Sequence, residues 1–137
     1  MQKSHLAVGI LGVLVFLGTG LYMENGFPEL YAGNETVRYL YRANHIYLLL
    51  ASLLNLALGC RLTVFAQSWP RRLGALASMF LLIAPALLGL AFFLDPPRAS
   101  PQRLVTAFGI YAAFGGVLLY AALHGWEGSG QKRSRSV

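Results

Sequence analysis

The hydrophobic pattern of this chain consists of four long apolar runs separated by polar breaks. The runs cover residues 6–23, 46–66, 73–94 and 104–123, and a helix needs about 20 residues to cross a hydrocarbon core. Apolar residues are continuous within each run rather than alternating, which excludes the strands of a membrane barrel. Because backbone amides in hydrocarbon must pair within their own segment, the pattern predicts four transmembrane helices.

The breaks carry the residues that end and start helices. Three prolines interrupt residues 94–103, where each would remove a helical hydrogen-bond donor. Ser100 before Pro101 predicts an N-cap for the fourth helix. Residues 126–137 are small, polar and basic, and we expect a flexible tail. Residues 1–125 are thus predicted to form one all-α, four-transmembrane-helix bundle.

Composition agrees with a membrane protein. Hydrophobic residues make up 56% of the chain and charged residues 12%, and the mean hydropathy is +0.56, whereas a soluble domain carries about 25% charged residues. The formal net charge of +6 could suit nucleic acid, but the cations form short clusters between the apolar runs. We therefore expect no nucleic-acid partner. Cys60 is the single cysteine, which excludes an internal disulfide.

The distribution of lysine and arginine predicts the orientation. With four crossings, seven cations fall on the side of the termini and four on the other side. Cytoplasmic loops usually carry more lysine and arginine than loops on the other side. By this rule both termini lie in the cytoplasm, and we expect a bacterial inner (plasma) membrane. The seven are Lys3, Arg61, Arg71, Arg72, Lys132, Arg133 and Arg135, and the four are Arg38, Arg42, Arg98 and Arg103.

The longest connection, residues 24–44, precedes the second run on the outer side. Asn34 followed by Glu35 is a helix-start signal, since an amide caps the first turn and an acid favours the positive end of the helix dipole. We therefore expect the second helix to begin near Glu35 and to extend outward beyond the bilayer.

On this extension Arg38, Arg42 and His45 recur at i, i+4 and i+7, so they share one helix face. With Tyr41 and Tyr47 they form the candidate binding site, an outer cationic strip for a lipid headgroup, a carboxylate or a partner protein. The alternative is that the arginines only anchor the helix at the interface.

Small and polar residues within the runs predict close helix packing. Ala51, Asn55 and Gly59 are spaced by four and form a seam on the second helix, where an intramembrane amide is expected to bond to a neighbouring helix. Pro85 lies inside the third run and predicts a kink.

The sequence contains few residues that could carry out catalysis or bind a cofactor. The sequence contains no hydrolase triad order, zinc-protease motif or phosphate loop, and no charged residue in the middle of a run. We therefore expect no cofactor and no metal. The weak alternative is a haem or metal between His5 and His124, which both fall near the inner surface on the first and last helices.

We accordingly expect a small multi-pass protein without enzymatic activity, an accessory or assembly subunit or a self-associating bundle. Its expected partners are membrane lipids, a larger membrane complex or a second copy of itself. One alternative is a small transporter or channel-like carrier that acts as an oligomer. Another is a haem-binding or lipid-modifying membrane enzyme, with His45 as base and Arg42 as phosphate clamp.

Overall fold

The computed structural model describes residues 1–26, 29, 34–61, 68–95 and 103–134. These residues form four helices: α1 (Gln2–Gly26), α2 (Glu35–Arg61), α3 (Ser68–Leu94) and α4 (Leu104–Ser134). Each is long and apolar enough to cross a membrane. The predicted all-helical bundle of four such helices is confirmed, whereas insertion into a membrane and the side on which the termini lie stay predictions.

Two of the helices, α2 and α4, extend well beyond their apolar runs. As predicted, α2 begins at Glu35, about three turns before its apolar run. The Asn34 side-chain oxygen accepts hydrogen bonds from the N–H groups of Thr36 and Val37, at 3.0 and 3.4 Å. At the other end α4 continues to Ser134, so part of the predicted tail is helical, and its flexibility stays a prediction.

The cap predicted at Ser100 and Pro101 lies outside the described residues, but the structure provides another. The Asp95 carboxylate accepts hydrogen bonds from the Thr106 N–H at 2.8 Å and from the Thr106 hydroxyl at 3.2 Å. Thr106 is the third residue of α4, and its N–H would otherwise have no helical acceptor. An acid at the end of α3 therefore caps the start of α4.

The helices run up and down in sequence order, with α3 at the centre. α1 packs closely on α2, α4 packs closely on α3, and α3 also contacts α1 and α2. Between the described parts of α1 and α4 there is no packing contact. The buried share of the apolar window is 44% in α3 and 22% in both α1 and α4, so α1 and α4 are the two outer helices of the bundle.

The interior holds both apolar and polar side chains, whereas the exposed helix surfaces are mainly apolar. His5, Ser52, Asn55 and Ser78 are fully buried between helices. The exposed surface of α1 and α4 is formed mainly by large apolar side chains, which include Leu11, Leu14, Leu21, Phe108, Phe114 and Leu118. This arrangement suits the hydrocarbon core of a bilayer. There the outer surface of a protein needs no polar groups, and the polar groups inside form hydrogen bonds with one another.

Two glycines allow backbones to approach. A Cβ added at Gly59 would lie 2.8 Å from the Leu6 backbone nitrogen, and one added at Gly116 would lie 3.0 Å from the Ala77 carbonyl oxygen. Because these neighbours are backbone atoms, they cannot move aside as a side chain can. Glycine is thus required where α1 meets α2 and where α3 meets α4.

Candidate functional site

Three buried polar side chains from three helices meet where α1 and α3 begin, and we call them the His5 cluster. His5 Nδ1 lies 2.6 Å from Asn55 Oδ1, and His5 Nε2 lies 2.5 Å from Ser78 Oγ. The exposure of His5 and Asn55 is 0% and that of Ser78 is 1%. The cluster ties α1, α2 and α3 together.

The amide of Asn55 determines the direction of these hydrogen bonds. Its Nδ2 donates to the carbonyl oxygens of Ala51 at 2.9 Å and Leu81 at 2.7 Å, which uses both of its hydrogens. Oδ1 can only accept, so His5 Nδ1 must carry the proton. In the neutral imidazole Nε2 then accepts, and the Ser78 hydroxyl is the donor.

The same amide compensates for Pro85. Residue 85 of α3 would normally donate its N–H to the carbonyl of residue 81, four positions earlier. Proline has no N–H, and Asn55 Nδ2 supplies the missing donor to Leu81. The predicted seam residue Asn55 and the predicted kink residue Pro85 are therefore parts of one arrangement, beside the buried Ala51.

The order serine hydroxyl, imidazole, amide oxygen is that of an activated serine nucleophile. Attack would require an electrophile within about 3 Å of Ser78 Oγ. Ser78 and His5 are closed off by the three helices, so no electrophile reaches the hydroxyl in this conformation. The chemistry available to the His5 cluster here is hydrogen bonding between helices.

The predicted outer strip is divided in the structure. His45 turns towards α1, where its Nδ1 lies 3.0 Å from the Thr19 hydroxyl and its ring stacks on Phe16 at a centroid distance of 3.9 Å. Arg42 is exposed. Arg38 is half-buried, and its Nη1 lies 3.4 Å from the Glu35 carboxylate. The two arginines thus remain available at the surface, while His45 joins the α1–α2 contact.

The two candidate tyrosines lie against the bundle rather than on the strip. Tyr41 is buried in a cluster with Met23, Val37 and Phe92. Tyr47 is partly buried and packs on the cluster around Leu48 and Leu88.

Arg103 is a site residue that the sequence reasoning missed. It directly precedes α4, and its Nη1 donates to the Leu40 carbonyl at 3.1 Å, which links α4 to α2. Burial lowers the pKa of the Arg103 guanidinium, and the charge of Asp95 opposes that shift. In the sequence, Arg103 is recognisable only as the last cation before the fourth apolar run.

Asn44 was missed as well. It is 1% exposed, and its Nδ2 donates to the Leu88 carbonyl at 3.2 Å. Its Oδ1 is buried without a hydrogen-bond partner in the described part of the chain, and the same holds for the Nε atoms of Arg38 and Arg103. All three belong to the end of the bundle where α2 and α4 begin, which we call the Arg103 end.

The two histidines proposed as an alternative haem or metal site lie on separate helices. His5 belongs to the His5 cluster on α1, and His124 is exposed on α4, which does not pack on α1 in the described residues. In those same residues no group of three or more His, Cys, Asp or Glu side chains could hold a metal ion.

Comparisons with known proteins give no match for this chain. No family model matches it, and neither does a curated protein or a solved structure. Its function is therefore argued from its own contacts.

Proposed function

We propose that the protein is a small multi-pass integral membrane protein without enzymatic activity, which binds lipid headgroups or a partner protein at the Arg103 end. The observation that carries the proposal is the exposed Arg42, which lies on the part of α2 that precedes its apolar run and has no ion-pair partner within the described residues. An unpaired guanidinium beside hydrocarbon is a ready donor for phosphate or carboxylate. The membrane assignment is supported by the four apolar helices.

The contacts of the buried and half-buried histidines, His5 and His45, support a role in binding rather than in catalysis. The His5 cluster uses its hydrogen bonds between helices, and His45 contacts Thr19 and Phe16 instead of standing beside Arg42 as a base. We further propose that both termini face the cytoplasm of a bacterial cell, so that the Arg103 end faces outward.

Association with a second copy or a larger complex is supported by α4, an outer helix that packs mainly on α3. Tyr111 is 74% exposed, and it lies about 10 Å along the helix from the start of α4. Its hydroxyl would face hydrocarbon, where a polar group gains from a partner on another helix. Phe108 and Leu118 continue the same apolar surface.

Native mass spectrometry of the protein released from nanodiscs of mixed zwitterionic and anionic lipid tests the binding role. We expect the wild type to retain anionic lipid and R38A/R42A to retain much less. The matched control is R71A/R72A, which removes two exposed arginines at the opposite end. Equal loss in both variants would mean general electrostatic attraction and would contradict a site at the Arg103 end.

Disulfide crosslinking tests the association. Cys60 is first replaced by serine, and single cysteines are placed at Tyr111 on α4 or at Leu14, an exposed position of α1. Oxidation in membranes should link copies through position 111 and not through position 14. Equal linking at both positions would indicate random collision and would remove the support for an α4 interface.

A further inference from the structure

Asn44 and Arg103 hold buried hydrogen-bonding atoms that no described residue satisfies. Asn44 is almost completely buried, and its Oδ1 has no donor, while Arg103 Nε has no acceptor. A buried polar atom left unsatisfied destabilises the folded state, because it has lost its hydrogen bond to water without gaining another. Such atoms in a packed protein point to a ligand or a water molecule that belongs there.

The two side chains lie at one place. Arg103 Nη1 donates to the Leu40 carbonyl, which is also the helical acceptor for the Asn44 N–H four residues later. The guanidinium therefore lies against the turn of α2 that carries Asn44.

The two unsatisfied atoms indicate which hydrogen-bonding groups a ligand at this place must have. Arg103 Nε needs an acceptor, and a guanidinium suits the geometry and charge of a phosphate. Asn44 Oδ1 needs a donor, which an ionised phosphate lacks and a hydroxyl group provides. A phosphate ester with a neighbouring hydroxyl supplies both from one molecule.

Position favours a lipid as the source of this group. Arg103 immediately precedes the apolar window of α4, Leu104–Trp126. If α4 crosses the bilayer, its first residues lie at the boundary between headgroups and hydrocarbon, where phosphates are concentrated. A lipid anchored by its chains reaches this boundary with its headgroup already at the required depth.

We infer that Asn44 and Arg103 form a binding site for the headgroup of an anionic phospholipid that carries a hydroxyl group beside its phosphate. Both unsatisfied atoms are covered in the described conformation, so the headgroup enters when the start of α4 moves away from α2; Arg103 then binds the phosphate and Asn44 accepts from the hydroxyl. This inference rests on the proposed lipid-binding role and names the headgroup class and the residues that select it.

The test measures lipid retention by native mass spectrometry after release from nanodiscs that contain equal phosphatidylglycerol and phosphatidylmethanol. Both lipids are singly charged phosphodiesters, but only the first has headgroup hydroxyls. The wild type should prefer phosphatidylglycerol. R103Q should lower its retention about tenfold, the factor that corresponds to one charge-assisted hydrogen bond. N44L should abolish the preference for phosphatidylglycerol over phosphatidylmethanol.

Two further variants make the result specific. R103K keeps the positive charge but has no Nε donor, so it should lose retention as R103Q does, and it replaces R103Q if that variant does not fold. R71A removes an exposed cation at the opposite end of the bundle and should keep both the retention and the preference. Thermal unfolding of each variant confirms that folded protein is compared.

The outcomes separate the two proposals. If the wild type retains no anionic lipid, the proposed lipid-binding role fails. If it retains lipid with no preference, or if R103K and N44L behave as the wild type, a bridging water satisfies these atoms and the inference fails. Displacement of the lipid by soluble glycerol phosphate at an equal concentration would overturn the lipid as the source.

Discussion

The side-chain amide of Asn55 on α2 donates a hydrogen bond of 2.7 Å to the Leu81 carbonyl on α3, the acceptor that Pro85 leaves without its helical donor. A proline inside a transmembrane helix is tolerated where a neighbouring helix satisfies the released backbone group. Here that neighbour also orients His5, and through it Ser78. The backbone of α3 at Pro85 and the position of α1 are thus coupled through one residue.

This coupling predicts that Asn55 and Pro85 are not independent in stability. N55L should destabilise the folded protein, because Leu81 then has an unsatisfied carbonyl. P85A restores an N–H to position 85, so the same N55L substitution should cost less in the P85A background. We expect a coupling of about 0.6–1.7 kcal/mol, the usual range for an interhelical hydrogen bond in membranes. Unfolding of the four proteins in mixed micelles measures it, and strictly additive costs would contradict the proposed compensation.

The His5 ring should be a single neutral tautomer with its proton on Nδ1. Asn55 Oδ1 can only accept, so it fixes the donor. The imidazole ¹⁵N chemical shifts of selectively labelled protein report this, with His45 and His124 replaced by glutamine to leave one signal. S78A should keep the Nδ1–H form and N55L should not. A signal from Nε2–H in the wild type would refute the assigned hydrogen-bond direction.

Two adjacent glycines of α4 should respond differently to alanine. A Cβ at Gly116 would meet Leu81 Cγ at 2.7 Å and the Ala77 carbonyl oxygen at 3.0 Å, whereas one at Gly115 would have nothing within 4 Å. G116A should destabilise by about 1–3 kcal/mol through overpacking. G115A should be neutral or stabilising by up to about 1 kcal/mol through helix propensity. Similar unfolding midpoints for the two variants would show that α3 and α4 are not packed as described.

Asp95 should stabilise the start of α4. D95A removes the acceptor of the Thr106 N–H and should cost about 0.5–2 kcal/mol, as the loss of an N-cap does. D95N keeps an acceptor oxygen without the charge, so it should retain most of that stability. Hydrogen exchange of the first turn of α4 measures the effect locally. If the turn exchanges equally in D95A and the wild type, Asp95 does not cap it.

The sequence predicts the helices of this protein well because their signals are local. The length of each apolar run and the amide of Asn34 before Glu35 act within a few residues of chain. The start of α2 is therefore correct. The extension of α4 beyond its apolar run was not predicted, because Gly125, Gly128 and Gly130 lower the helix propensity of that segment.

The candidate sites were harder to predict because their partners are distant in the chain. His5 meets Ser78 across 73 positions, and Arg103 meets Leu40 across 63. The spacing of Arg42 and His45 in the sequence predicts that they share one face of α2. It does not show that α1 packs against His45. The sequence likewise predicts that Asn55 forms a hydrogen bond to another helix. It does not show that the acceptor is the carbonyl left without a donor by Pro85.

The central claim is that the chain crosses a membrane four times with its Arg103 end outside. Labelling of intact bacterial cells with a membrane-impermeant maleimide tests it most directly. In a C60S background, single cysteines are placed at Tyr39, exposed on the first turns of α2, and at Ser136 near the C-terminus. We predict labelling at position 39 in intact cells and at position 136 only after the membrane is permeabilised. Labelling of both positions in intact cells, or of position 136 alone, would contradict the account.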